Sequence, residues 1–267
     1  MLKDITLGQY FPGSSVIHRI DPRVKVLMVV AYIVALFCAD GLWAYLFCFG
    51  MLALAVGLSR IKPKMMLKGL KPILFIIVFT AVLNMFYTPG VVLWQWWIFK
   101  LTREGIANAS FMVSRIIMLI ICTSLLTYTT SPIALTDALE RLLGPLKKIR
   151  VPVHEFTMMM TIALRFIPTL IEETDKIMSA QKARGADFES GNLINRAKAM
   201  VPVLVPLFIS AFRRADELAN AMECRLYHGG EGRTRLRELH MARLDYIVSG
   251  VMAACVAAVF VITRFTA

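Results

Sequence analysis

Two arginines in this chain stand where a charged fork could be presented to another surface. Ala183-Arg184-Gly185 and Cys224-Arg225-Leu226 each place a small residue before an arginine at the end of a helical stretch, with a glycine at Gly185 or just beyond at Gly229-Gly230. A guanidinium is always charged and offers a rigid set of donors, so it can clamp a carboxylate inside a groove. The small neighbour lets a helix tip enter such a groove, and glycine allows a sharp exit. A cation at a helix C-terminus is also favoured by the helix dipole, so an ordinary helix cap is the plainer alternative. No constellation for catalysis accompanies these arginines. His18, His154, His228 and His240 are scattered, and His154-Glu155 lacks the second histidine of a His-Glu-x-x-His zinc pair. There is no Gly-x-Ser-x-Gly and no Gly-x-x-x-x-Gly-Lys-Ser/Thr. Cys38, Cys48, Cys122, Cys224 and Cys255 have no metal-ligand spacing and read as small buried hydrophobes. No catalytic, cofactor-binding or metal-binding residue is therefore expected.

The elements that would carry the arginines belong to a membrane protein. Of 267 residues 58% are hydrophobic, the formal charge is +12, and the mean hydropathy is +0.65. The apolar residues fall in blocks with lysine and arginine between them, as a bilayer demands of helices that bond their backbone internally. The blocks run over 24–39, 42–58, 72–87, 106–128 and 246–263. Asp21-Pro22 supplies a cap and a first-turn proline for the first of them. Trp94, Trp96 and Trp97 suit a headgroup boundary. Arg115 and Arg165 lie in apolar surroundings, where a charge needs compensation; both read as structural, with Arg165 at a helix crossing or reaching Glu172 or Glu173. Lys3, Arg19 and Arg23 precede the first block, Lys25 lies at its start, and Arg60, Lys62, Lys64, Lys68 and Lys71 follow the second. The positive-inside rule then puts the N-terminus in the cytoplasm, and four crossings return the chain there. This accounts for the basic balance without nucleic acid as a partner.

Three regions follow: 1–130 with about four transmembrane helices, a cytoplasmic region 131–243, and a last transmembrane helix in 244–267. The middle region carries 17 of the 30 lysines and arginines. Ser131-Pro132 starts a short helix that Gly144-Pro145 ends. Long helices are expected from His154 to Ala183 and from Leu193 to Arg225, each roughly 45–50 Å long. Glu172 with Lys176 and Arg213 with Glu217 are spaced as helical ion pairs, and Pro202 and Pro206 should kink the second helix. Both helices turn polar toward their ends, like struts leaving the bilayer interface. Met158, Met159 and Met160 offer flexible thioethers on the first strut, suited to a surface that accepts more than one partner, or simply filling an apolar helix.

The order of several short motifs resembles one family. Gly8-Gln9-Tyr10, Pro12-Gly13-Ser14, His18, Ile20-Asp21-Pro22-Arg23, Leu164-Arg165-Phe166-Ile167-Pro168, Ala183-Arg184-Gly185 and Ala221-Met222-Glu223-Cys224-Arg225 span nearly the whole chain. They resemble the transmembrane T component of energy-coupling-factor (ECF) vitamin transporters, the CbiQ-like family. The resemblance implies an all-α integral membrane protein of about five transmembrane helices plus cytoplasmic coupling helices, two of them long and crossing. It implies a non-catalytic scaffold in a prokaryotic cell membrane. Such a scaffold links two cytoplasmic ABC-type ATPases, which bind the ATP and Mg, to a small substrate-binding membrane S component. By the same resemblance Ala183, Arg184 and Gly185 would dock on one ATPase, and Cys224, Arg225 and Leu226 on the other. The second motif keeps only the arginine of Ala-Arg-Gly, which would suit a non-identical second ATPase. Met158 to Met160 would meet S components. A conventional permease with its own substrate path is the competing reading, and a membrane-embedded enzyme a more distant one.

Overall fold

The computed structural model describes residues 10–96, 99–188, 192–229 and 240–266. Gly8, Gln9, Trp97 and Gly230 lie outside the described residues, as do the side chains of Trp94, Trp96 and Lys68. Among the described residues the regular structure is helical except for one hairpin. The described residues form two compact units, 10–138 with 240–266, and 139–229.

In the first unit, α1 (Val16–Arg19) leads into α2 (Pro22–Cys38), followed by α3 (Leu42–Ser59), α4 (Pro63–Leu70), α5 (Leu74–Tyr87), α6 (Arg103–Thr129), α7 (Pro132–Leu142, shared with the second unit) and α10 (Arg243–Thr266). Sequence signals explain the ends. Asp21 caps α2 by accepting from Arg23 N at 2.8 Å, with Pro22 in the first turn. Gly41, at φ +84°, makes the tight entry to α3. Ser131 Oγ accepts from Ala134 N at the start of α7. Between α5 and α6 the chain forms an antiparallel hairpin, β1 (Val92–Trp96) and β2 (Phe99–Thr102). Its run of β-branched and aromatic residues favours extended backbone, a signal masked at sequence level by its shortness.

Five helical stretches among the described residues are long and apolar enough to cross a membrane: 42–59, 63–87, 103–129, 194–224 and 243–265. Four of them contain expected blocks. The set otherwise differs from expectation, because the stretch 194–224 qualifies on length and hydropathy while α2 is 17 residues. Small residues let the helices approach closely: Ala35, Ala39, Ala44 and Cys48 are buried with Tyr32, Leu36, Met118, Cys122 and Val259. The Tyr32 hydroxyl donates to Cys48 O at 3.2 Å. Only two cysteines fit the expectation of burial; Cys38 and Cys224 are exposed. Arg115 sits over two rings, 5.4 Å from the centroid of Phe37 and 5.7 Å from that of Tyr45. Cation–π attraction of this kind contributes about 1–2 kcal/mol in a dry setting, a partial compensation for the charge.

Buried polar groups tie α2, α6 and α10 together at one end of this unit. Lys25 Nζ donates to Thr129 O at 2.9 Å, at the end of α6 where backbone carbonyls lack helical donors. Asp245 accepts from Asp21 N and Ala242 N, both at 2.8 Å, and Arg23 pairs with Asp21 at 2.8 Å. Burial pushes the Asp21 carboxyl up, but hydrogen bonds from the Arg23 side chain and backbone and the charges of Arg23 and Lys25 outweigh it. The net effect holds Asp21 below its ordinary value.

Two outcomes follow for the purified protein. Asp21→Asn lowers the unfolding midpoint at pH 7. Because the folded-state value is depressed, the wild type's advantage is present above the ordinary carboxylate range and shrinks as pH falls through about 4 and below. A pH series of thermal unfolding reads this directly. Gly105→Ala destabilises by about 1–3 kcal/mol despite alanine's helix preference. The added Cβ would stand 2.6 Å from Met85 O and 3.2 Å from Asn84 O, forcing α5 and α6 apart.

Candidate functional site

The second unit is built on α8 (Val153–Ala183) and α9 (Leu193–Cys224), as expected within one residue at each end. Both run unbroken despite Pro168, Pro202 and Pro206. Pro206 has no N–H to offer the carbonyl of Pro202, one helical turn before it. That carbonyl accepts instead from Gln181 Nε2 of α8, at 3.4 Å. The i,i+4 prolines thus open a polar contact between the helices.

Three contacts set the direction of the pair. Tyr227, just past α9, donates its hydroxyl to Met158 Sδ at 3.0 Å, near the start of α8. In the middle, Glu173 accepts from Ser210 Oγ and from Arg214 Nη2, the latter at 2.8 Å. Gln181 meets Pro202 toward the other end. Residue numbers rise on α8 as they fall on α9, so the helices are antiparallel. Two struts leaving one interface side by side, the shape read from their polar ends, would run parallel. The antiparallel order instead sends the end of α8 and the end of α9 in opposite directions. From Met158 to Arg184 the rise along α8 is about 39 Å, which is also the approximate separation of the two tips.

The tips are alike in backbone. At the end of α8, Gly185 N donates to Lys182 O at 3.0 Å and Ala186 N to Gln181 O at 3.0 Å, with Gly185 at φ +89°. At the end of α9, Leu226 N donates to Glu223 O at 2.8 Å and Tyr227 N to Met222 O at 3.0 Å, with Leu226 at φ +51°. Both are Schellman motifs, in which two inward bonds satisfy terminal carbonyls around one left-handed residue. Arg184 and Arg225 hold the same place in each, immediately before that residue. Ala183, Arg184, Gly185, Cys224, Arg225 and Leu226 are all exposed. The degenerate second motif therefore keeps the geometry as well as the charge. It does so with a leucine in a conformation that costs a side chain roughly 1–2 kcal/mol.

The remaining expected residues separate. Met159 and Met160 are exposed, whereas Met158 is half-buried against Tyr227. Arg165 is exposed and does not reach Glu172 or Glu173. The structural charge of the pair is Arg214, because the antiparallel order brings it, and not Arg165, opposite Glu173. Nor does the pairing of Glu172 with Lys176, or of Arg213 with Glu217, account for the ion pair observed between the helices. His154 is hydrogen-bonded through Nδ1 to Glu140 Oε1 at 3.0 Å, joining the start of α8 to α7. Sequence reasoning missed Gln181, Ser210 and Tyr227. The acidic step Glu172-Glu173 facing the basic step Arg213-Arg214 was the available signal, and it needs the helix direction to be used.

Arg214→Gln lowers the unfolding midpoint of the purified protein by an amount equivalent to about 0.5–1 kcal/mol, since the pair is partly exposed and partly screened. Arg165→Gln leaves the midpoint unchanged. Parallel melts of the two variants distinguish the roles.

Comparison with known proteins shows the family. Residues 13–236 match the CbiQ family, described as cobalt transport protein. The chain is 57% identical over 251 residues to the energy-coupling factor transporter transmembrane protein EcfT of Ruminiclostridium cellulolyticum, covering 94% of each chain. It is 49% identical to that of Bacillus subtilis, over 90% of this chain and 91% of the relative. With that of Lactococcus lactis subsp. cremoris the identity is 45%, over 92% and 93%. The family match over most of the chain and these identities, on a helical protein with five stretches long and apolar enough to cross a membrane, lead to one assignment: the chain belongs to the CbiQ-like family of transmembrane components of energy-coupling factor transporters.

Proposed function

We propose that this chain is the coupling scaffold of its transporter, engaging two cytoplasmic ATPase subunits at the tips of α8 and α9 and a substrate-binding membrane subunit elsewhere. One observation carries the reading: two arginines in the same helix-ending geometry stand at opposite ends of one antiparallel pair. A single small domain is about 30 Å across, so two tips about 40 Å apart address two separate partner domains. Each tip offers a charged fork on a backbone that turns away sharply, suited to an acidic groove. Because α8 and α9 are cross-linked through Glu173, Ser210 and Arg214, a change in spacing between the two ATPases would be felt by the pair as a whole. ATP and Mg belong to those ATPases in this reading, and the chain itself contributes no catalytic group.

The third partner is supported by exposed apolar surface. Phe156, Met159 and Met160 on α8 are exposed, and so are Val201, Leu204, Val205, Phe208 and Phe212 on α9. The α9 residues recur at helical spacing and make a continuous stripe, which needs an apolar covering. A small membrane subunit docked there, the substrate-selecting S component, meets that need, with the thioethers of Met159 and Met160 able to adapt to more than one such subunit. Uptake of a vitamin or of a trace metal such as cobalt is the corresponding transport activity. The basic segments around Arg19 to Lys25 and Arg60 to Lys71, and the basic 139–229 unit, face the cytoplasm in this arrangement.

Arg184→Glu and Arg184→Lys test the tips in reconstituted vesicles. The reversed charge should abolish ATP-driven uptake and release one ATPase on purification. Lysine keeps the charge but not the fork, and should reduce uptake by about tenfold. Normal uptake and ATPase retention with Arg184→Glu would refute the proposal.

A further inference from the structure

The two tips share a backbone but not a surface. The left-handed position is glycine in one and leucine in the other, with the same pair of hydrogen bonds around it. Among the described residues three non-glycine positions have positive φ: Arg60, Arg150 and Leu226. Leu226 alone among them is apolar. Its side chain is 76% exposed, so burial within the chain does not hold it there. Leucine at this point works against both the local backbone and the hydrophobic effect.

Internal packing does not explain the difference between the tips either. A Cβ built on Gly185 meets nothing within 4 Å. Glycine at the first tip is therefore not required by crowding within the chain, and leucine at the second is not required by a void to be filled. The choice at each tip is left to whatever surface receives it. The neighbouring charge differs in the same sense. Lys182 and Glu223 occupy corresponding places, three residues before Gly185 and Leu226. The first tip thus presents a bare backbone between basic side chains, and the second presents an isobutyl group beside one arginine and one carboxylate.

We infer that Leu226 is the specificity determinant of the second tip, an apolar anchor that enters a hydrophobic socket beside the arginine-binding groove of one ATPase subunit and excludes the subunit that receives Gly185. This rests on the reading of the tips as docking points for two non-identical ATPases, and adds that one of them carries a socket for Leu226 and the other does not. An exposed apolar side chain held at the end of a rigid helix loses little freedom on binding, which suits it to anchor a contact. A tip that carries leucine would collide with a groove shaped for close approach of the glycine backbone, so one side chain both attracts one partner and repels the other.

The test uses the full chain in lipid nanodiscs and the ATPase subunits that co-purify with it, each expressed separately. Leu226→Gly, Leu226→Gln and Arg225→Glu are compared with the wild type. Leu226→Gly should keep or raise the unfolding midpoint, because glycine is at ease in the left-handed region, so lost binding cannot be blamed on lost folding. It should weaken binding of the second-tip ATPase by about tenfold and let the first-tip ATPase bind there. Leu226→Gln, of similar length but polar, should also lose the second-tip ATPase without gaining the first. Wild-type affinity and discrimination in both Leu226 variants, with binding lost in Arg225→Glu, would overturn the inference and leave the docking reading standing. Retained binding in Arg225→Glu would overturn the docking reading itself. Recovery of a single kind of ATPase at both tips would overturn the inference alone.

Discussion

The antiparallel register of α8 on α9 is the constraint on which the functional surface depends. Glu173 is held by Ser210 and Arg214 at the middle of the pair, while Met158 with Tyr227 and Gln181 with Pro202 hold it toward the ends. A slip of one helical turn would move one tip against the other by about 5 Å and unmake all three contacts. Polar links specify register better than apolar ones, because a mispaired carboxylate or guanidinium is left without its partner, whereas a methyl group finds another neighbour. The apolar stripe of α9 is then free to face outward, since the pair does not rely on it for alignment.

A similar economy governs the membrane unit. Its helices pack through small residues at Ala35, Ala39, Ala44 and Cys48, which allow close approach but little directional preference. Direction comes from a few buried polar groups at one end, where Lys25 of α2 supplies the donor that the last carbonyls of α6 lack, and Asp245 binds the backbone leading into α2 and α10. Inside the apolar region the guanidinium of Arg115 is accommodated by the faces of Phe37 and Tyr45. The unit carrying the tips is cross-linked by half-exposed groups, the other unit by buried ones.

Much of the helical plan was legible before the structure. Asp21-Pro22 and Ser131-Pro132 marked helix starts that the structure places at Pro22 and Pro132, because a cap and a following proline act locally. The spans of α3, α6 and α10 followed from apolar run length alone. The hairpin Val92–Trp96 with Phe99–Thr102 was not legible, since its strands are too short for alternation to stand out. The hairpin aside, the clearest misreading concerned charge. Arg165 was conspicuous in an apolar stretch, yet it is exposed, and Arg214 takes the partner expected of it. Spacing along one helix cannot say which residue faces the neighbouring helix.

The sequence by itself determined the membrane class, the helix ends and the place of Arg184 and Arg225 at two of those ends, because run length, caps and terminal charge depend on residues within a turn or two of each other. It also carried the family, through motifs whose order survives along the chain. Only the tertiary structure decided that the two long helices are antiparallel, so that their tips diverge instead of reaching out together. Only it decided that Leu226, which the aligned motifs already place opposite Gly185, adopts the same left-handed backbone. The direction is set by contacts between residues tens of positions apart, and the dihedral angle by two hydrogen bonds that close the end of α9 locally, where leucine gives no glycine-like signal of a left-handed turn.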